Sequence, residues 1–305
     1  MTFARYIVKT VPIIILTFFL HSKVFGREAK DYENNPAIIC FFKNLYNFSF
    51  NKADSVLLEL KKSGIDKAAI CNLSANLYWW KLLSGDSVDQ NLKSCNENID
   101  ESINLLLKTR LQESNSLLNI IYSYSLKARV ENYRGNTFRS FISFYKSSVY
   151  IKKCMDSPIL DEKLALMAGL YLYFKDYFED EYFILLSSGG DRAKGLKYLE
   201  ECTSSSSEMI RTEANYFLLK IYGYTEKDYL KAYLKSKVLT EMHPNNFVYS
   251  MENLRFLMLL NKSGEAQLYQ TKLVGEIMGA DGLNLLQRNH FISQIEELSK
   301  TTSKF

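Results

Sequence analysis

Residues 213–244 read EANYFLLKIYGYTEKDYLKAYLKSKVLTEMHP. The first ten place Leu218 and Tyr222 four apart, on one face of a helix. A polar turn follows, and Ala232 stands early in a second helical stretch. Twelve residues after Ala232 comes Pro244, which closes that stretch because proline cannot continue a helix. The segment reads as two helices joined by a short turn, an antiparallel hairpin.

The same periodicity extends in both directions. Phe50, Ala53, Leu57 and Leu60 recur at three- and four-residue steps, and Gly64 closes that helix. Residues 66–85 are apolar through Ile70, Leu73, Leu77 and Trp80 and again end at glycine. Further helices are predicted near 91–109, 114–133, 137–154, 160–186, 191–202, 206–222, 226–242, 246–261, 264–278 and 282–299. Polar punctuation separates them: Gly135-Asn136, Asp156-Ser157-Pro158, Gly189-Gly190-Asp191, Ser204 to Ser207 and Pro244-Asn245-Asn246. Asp191 and Ser263 stand where helix N-caps are wanted. No alternating strand pattern competes, so the expected class is all-α, with about 12–13 helices. Short loops force sequence neighbours to pair as antiparallel hairpins.

The 213–244 hairpin resembles the tetratricopeptide repeat. That family has a large residue and a tyrosine four apart in its first helix, a small residue where the helices cross closely, and a closing proline. Leu218, Tyr222, Ala232 and Pro244 match those places. Gly195, Leu199 and Cys202 follow the small, large, small spacing of the family's second helix. Ala53, Leu57 and Leu60 begin it, and residues 47–53 look like its inter-helix turn. Departures are visible: position 236 is Ser where a bulky aromatic is usual, and the 213–244 hairpin has one extra turn residue. The resemblance implies hairpins stacked as a right-handed solenoid and a non-catalytic scaffold that holds proteins or peptides on a concave surface.

The chain has 305 residues, 47% hydrophobic, with 4 Pro and 13 Gly. That excludes collagen-like and low-complexity classes and is ample for a core. Residues 1–9 are short and basic, residues 11–20 (VPIIILTFFL) are apolar, and Val24-Phe25-Gly26 offers modest residues for a cut before Arg27. This order predicts a signal peptide over 1–26 and a helical repeat domain over 27–305. The apolar run is shorter than the roughly 20 residues a spanning helix needs. The expected address is therefore export, to the periplasm or cell surface, with no stable membrane span after signal removal. The formal net charge of +4 falls to near zero once residues 1–26 are removed, which argues against nucleic acid as a partner.

Chemistry-bearing residues are sparse. Beyond residue 26 there are two histidines, His243 and His290, and no HExxH, GxSxG or phosphate-cradling glycine loop. Cys40, Cys71, Cys95, Cys154 and Cys202 make no CxxC pair and fit no zinc spacing. Small buried thiols on helix faces are the plainer reading, and export leaves disulfides open. Neither catalytic residues, metal nor cofactor is expected. Asn47, Asn72 and Asn261 begin glycosylation sequons.

Residues 127–153 carry Lys127, Arg129, Arg134, Arg139, Lys146, Lys152 and Lys153 against one acid, Glu131. Tyr133, Phe138, Phe141, Phe144, Tyr145 and Tyr150 are interleaved. One reading is an anion-binding groove; the other is a solvated basic face with Phe138, Phe141 and Tyr145 at core spacing. The acidic stretch 161–181 would neutralise the basic one if hairpin packing joined them. Trp79 and Trp80, being consecutive, diverge by about 100° on a helix, which puts at least one partly at the surface. The aromatic run 171–183 reads as core between hairpins or as a stacking platform. The candidate binding set is Arg129, Arg134 and Arg139 for anionic groups, with Tyr133 and Trp80 as apolar contacts. The expected partner is a protein or peptide, acidic in character. The alternative function is an envelope polysaccharide binder or glycan hydrolase using aromatic stacking and a carboxylate pair.

Overall fold

The computed structural model describes residues 35–108, 114–155, 162–182 and 190–302. Helix accounts for 85% of them, and no strand occurs among them. The order is α1 (Pro36–Tyr46), α2 (Phe50–Lys62), α3 (Lys67–Leu83), α4 (Val88–Lys108), α5 (Ser114–Tyr133), α6 (Thr137–Met155) and α7 (Glu162–Tyr182). Then come α8 (Arg192–Cys202), α9 (Glu208–Lys220), α10 (Tyr229–Met242), α11 (Phe247–Leu259), α12 (Ser263–Gly279) and α13 (Leu285–Thr302). The expected signal segment, the Asp156-Ser157-Pro158 turn, Gly189 and the side chains of Phe178, Tyr182 and Phe183 lie outside the described residues.

Local chemistry explains most helix starts. The Asn35 side chain accepts from Ala37 N at 2.9 Å, and Asp66 accepts from Ala68 N and Ala69 N. Asp191 accepts from Lys194 N at 2.8 Å, as a cap should. Ser263 differs from expectation. It is the first residue of α12, Lys262 holds the cap position, and no side chain caps the end.

Sequence neighbours pack in pairs, α1 with α2, α3 with α4, α5 with α6, α7 with α8 and α9 with α10. Odd-numbered helices also touch in succession from α1 to α9. This sequential packing is compatible with a helical repeat. Helices α7 and α8 approach to backbone contact at Gly169 and Gly195. A Cβ on Gly195 would sit 2.6 Å from Tyr173 N and 2.7 Å from the Gly169 carbonyl oxygen. The extra turn residue after residue 222 has a visible counterpart. Helix α9 runs into a π-helical turn over Ile221–Thr225, where Glu226 N reaches the Ile221 carbonyl at 2.9 Å. Gly223 in that turn leaves room for the Phe256 ring.

The array curls back on itself. Helix α1 touches α9, and Asn246 Nδ2 donates to the Tyr46 carbonyl at 2.9 Å across 200 residues of chain. Phe48 lies against Phe247 and Phe291. Gln287 Nε2 donates to Ser84 Oγ at 2.7 Å. His290 packs so close to Gly85 (φ +79°) that no Cβ fits there.

Candidate functional site

The odd-numbered helices α1, α3, α5, α7 and α9 enclose a cavity of about 460 Å³. Phe42, Leu73, Leu118, Met167 and Met209 supply apolar lining; Asn72, Asn76, Asn119, Tyr122 and Glu213 supply the polar part. Asn72 and Asn76 sit one turn apart on α3, which is apolar around most of its circumference, and both are buried. Burying carboxamides costs free energy unless they are bonded, and these are. Asn72 Nδ2 lies 3.3 Å from Asn119 Oδ1, Ser123 Oγ donates to Asn72 Oδ1 at 2.8 Å, and Tyr122 Oη donates to Asn76 Oδ1 at 3.0 Å.

Beside this network sits an ion pair. Glu213 on α9 faces Arg129 on α5 at 3.0 Å; the Glu213 side chain is buried and that of Arg129 nearly so. Tyr46 Oη donates to Glu213 Oε1 at 3.2 Å. Burial works to lower the Arg129 pKa, but the Glu213 charge holds it above its ordinary value. Burial pushes the Tyr46 hydroxyl well up, and the Glu213 charge adds to it. The Arg129 guanidinium also covers the Phe217 ring at 4.5 Å. The pocket's two carboxylates are thus committed, Glu213 to Arg129 and Asp66 to the cap of α3.

The sequence-predicted set does not come together. Arg129 is inside, with Glu213 rather than an external anion as its counter-charge. Trp80 is only 2% exposed. Its ring centroid lies 5.6 Å from both Tyr46 and Tyr249, so it is core and not a contact surface. Trp79 is buried as well; the expectation that one of the pair reaches the surface fails because helices pack on both sides of α3. Tyr133 stays exposed and meets Trp79 edge-on at 5.9 Å. Arg134 lies 3.6 Å from Glu131, and Arg139 is exposed on α6.

Among the described residues the basic stretch is partly neutralised by acids outside 161–181; within that stretch Asp161 and the side chains of Glu179, Asp180 and Glu181 lie outside the described residues. Lys127 pairs with Asp100 on α4, and Arg129 with Glu213 on α9. On α7, Asp176 lies 3.3 Å from Arg192, and Glu162 accepts from Ser205 Oγ. Arg139, Lys146, Lys152 and Lys153 have no carboxylate partner among the described residues. Tyr171 and Tyr173 are buried, as a core between hairpins requires. Asn72 is likewise buried, so its sequon is closed in the folded chain, whereas Asn261 is exposed.

No group of three or more His, Cys, Asp or Glu placed to hold a metal occurs among the described residues. No helix there is long and apolar enough to cross a membrane. Comparison with protein-family models, curated proteins and solved structures finds no match to this chain. The tetratricopeptide resemblance therefore rests on the hairpin residues and on the paired packing.

Proposed function

We propose that the protein is an exported, non-catalytic, tetratricopeptide-like scaffold that holds a segment of a partner protein in the cell envelope. In this reading the hairpins form a right-handed superhelix whose inner helices bear the binding surface. One observation carries it. The cavity between the odd-numbered helices combines apolar walls with carboxamides. Asn76, which gives one N–H to the Asn72 carbonyl and one lone pair to Tyr122, keeps a second N–H and a second lone pair side by side, the complement of a peptide group. The commitment of Glu213 and Asp66 to partners within the fold favours this over the carboxylate-pair chemistry of a glycan hydrolase.

The test is site-specific photocrosslinking in the native envelope, with the crosslinking residue at Leu118 or Met209 in the cavity and, as control, at Leu268 on α12. A protein adduct from the cavity positions alone is the expected result. Equal labelling from Leu268, or no protein adduct from either cavity position, sinks the scaffold reading. An adduct carrying carbohydrate moves the protein to the glycan-binding class.

A further inference from the structure

Helix α6 is built inside out. Toward α5 it turns serines: Ser143, Ser147 and Ser148 are buried, and Ser147 Oγ donates to the Ile121 carbonyl at 3.2 Å. Small side chains let the two helices approach closely. Away from α5 it turns Phe138, Ile142, Tyr145 and Val149, which are 74%, 36%, 51% and 41% exposed. Their spacing of four, three and four residues confines them to an arc of about 60° on a helix turning 100° per residue. The stripe runs about 16 Å along the axis at 1.5 Å per residue.

That spacing is the seam of a two-helix pairing. With Phe138 and Tyr145 at d and Ile142 and Val149 at a, the residues at e in three successive heptads are Arg139, Lys146 and Lys153. Arg139 and Lys146 border a cleft that Asp100 and Glu131 also line. Asp100 is paired with Lys127 and Glu131 with Arg134, however, and none of the three cations has a carboxylate within ion-pair distance among the described residues. Lys146 and Lys153 instead lie over the rings of Tyr124 and Tyr150.

We propose that this face docks an amphipathic helix of a partner protein whose own apolar seam is bordered by acidic residues. The charge pattern selects that occupant. In a second copy of this chain, an antiparallel pairing would set the three e-position cations against themselves. A parallel pairing would set them against Phe141 and Ser148 at g, which carry no charge. A lipid surface asks for a helix with a large apolar face free to lie in the membrane interface. Helix α6 is instead held in a hairpin with α5, its exposed apolar arc is only about 60° wide, and Lys152 ends that arc at the next d position. The surface is on the outside of the α5–α6 hairpin and contributes none of the residues that line the inner cavity, so it stands apart from the scaffold reading.

The experiment measures fluorescence anisotropy of two labelled synthetic peptides added to the full chain. One has Leu at a and d and Glu at e and g; its twin has Lys in place of Glu. The Glu peptide is expected to bind and the Lys twin not. R139E/K146E/K153E should weaken the Glu peptide by about tenfold or more and make the Lys twin bind, because charge pairs set partner choice. F138S/Y145S should lose the Glu peptide while keeping the helical circular dichroism of the parent, since both side chains are exposed. Absent or charge-blind peptide binding overturns the proposal, as does binding that survives F138S/Y145S. Two further controls act the same way. Co-sedimentation with phosphatidylglycerol vesicles that depends on Phe138 and Tyr145 would make this a lipid face. A dimer that F138S/Y145S dissociates would make it a self-association face.

Discussion

The guanidinium of Arg129 on α5 closes to 3.0 Å of the Glu213 carboxylate on α9, with Glu213 buried and Arg129 nearly so. Arg129 Nη2 and Glu213 Oε2 are near but not aligned as a hydrogen bond, so the attraction is chiefly between charges. Each charge is tolerable inside only because the other is there.

Removing one partner should therefore cost more than removing both. Arg129→Met or Glu213→Leu alone is expected to lose roughly 3–5 kcal/mol, while the double variant recovers most of that. Urea unfolding of the three variants checks it. Equal losses in the single and double variants would show that packing, not charge, dominates at this site.

His243 gives the fold a pH limit. Its ring is buried between Tyr46 and Tyr249, with Nε2 2.7 Å from Thr212 Oγ1. Burial, helped by the Arg211 charge, pushes its pKa down from 6.5 to about 4. The unfolded chain thus takes the proton more readily than the folded one, and protonation favours unfolding. The contribution is complete above pH 6.5 and is lost as pH falls toward 4, to a limit of roughly 3 kcal/mol. Thermal unfolding of the parent and His243→Gln between pH 7 and 4.5 should converge as pH falls. Parallel curves would exclude this residue as the cause.

The thiols should divide by environment. Burial pushes Cys95 up to about 12 and, with Glu162 and Glu201 nearby, Cys202 up to about 11. Cys95 Sγ donates to the Ala75 carbonyl at 3.3 Å. Iodoacetamide at pH 8 is expected to alkylate exposed Cys40 first and to leave Cys95 and Cys202 unmodified until the chain unfolds. Peptide mapping reads the order, and early modification of Cys95 would contradict it.

Glycines on α8 and α12 should respond in opposite directions. Gly195→Ala puts a methyl group into the α7 backbone and should destabilise by about 1–3 kcal/mol. Gly275 in α12 has open space around its Cβ position, so Gly275→Ala should stabilise by about 0.5–1 kcal/mol through helix propensity. Thermal unfolding separates the two, and a stabilising Gly195→Ala would refute the close crossing.

The helical class and most boundaries were legible because periodicity and caps are local signals. Residues 114–133 and 137–154 coincide with α5 and α6 to within a residue. What was not legible is which face of a helix meets a neighbour. Phe138 and Tyr145 look like core by spacing, yet α6 buries its serines and exposes them. Trp80 and Arg129 look like surface contacts until α9 and α11 are brought against them from more than 80 residues away. Asn72 and Asn76, the polar pair of the inner cavity, did leave a trace, as two carboxamides one turn apart in a helix rich in apolar residues.

The meeting of Tyr46 with Asn246, and of Ser84 with Gln287, also bears on how the chain comes apart. A linear stack of hairpins has free ends and can fray one unit at a time, since each unit answers only to its neighbours. Here the outermost units hold one another, so peeling away α13 also uncovers the start of the array. Loss of structure should accordingly be a single concerted event rather than a progressive unzipping, and the first and last of the described helices become guardians of the same cooperative unit.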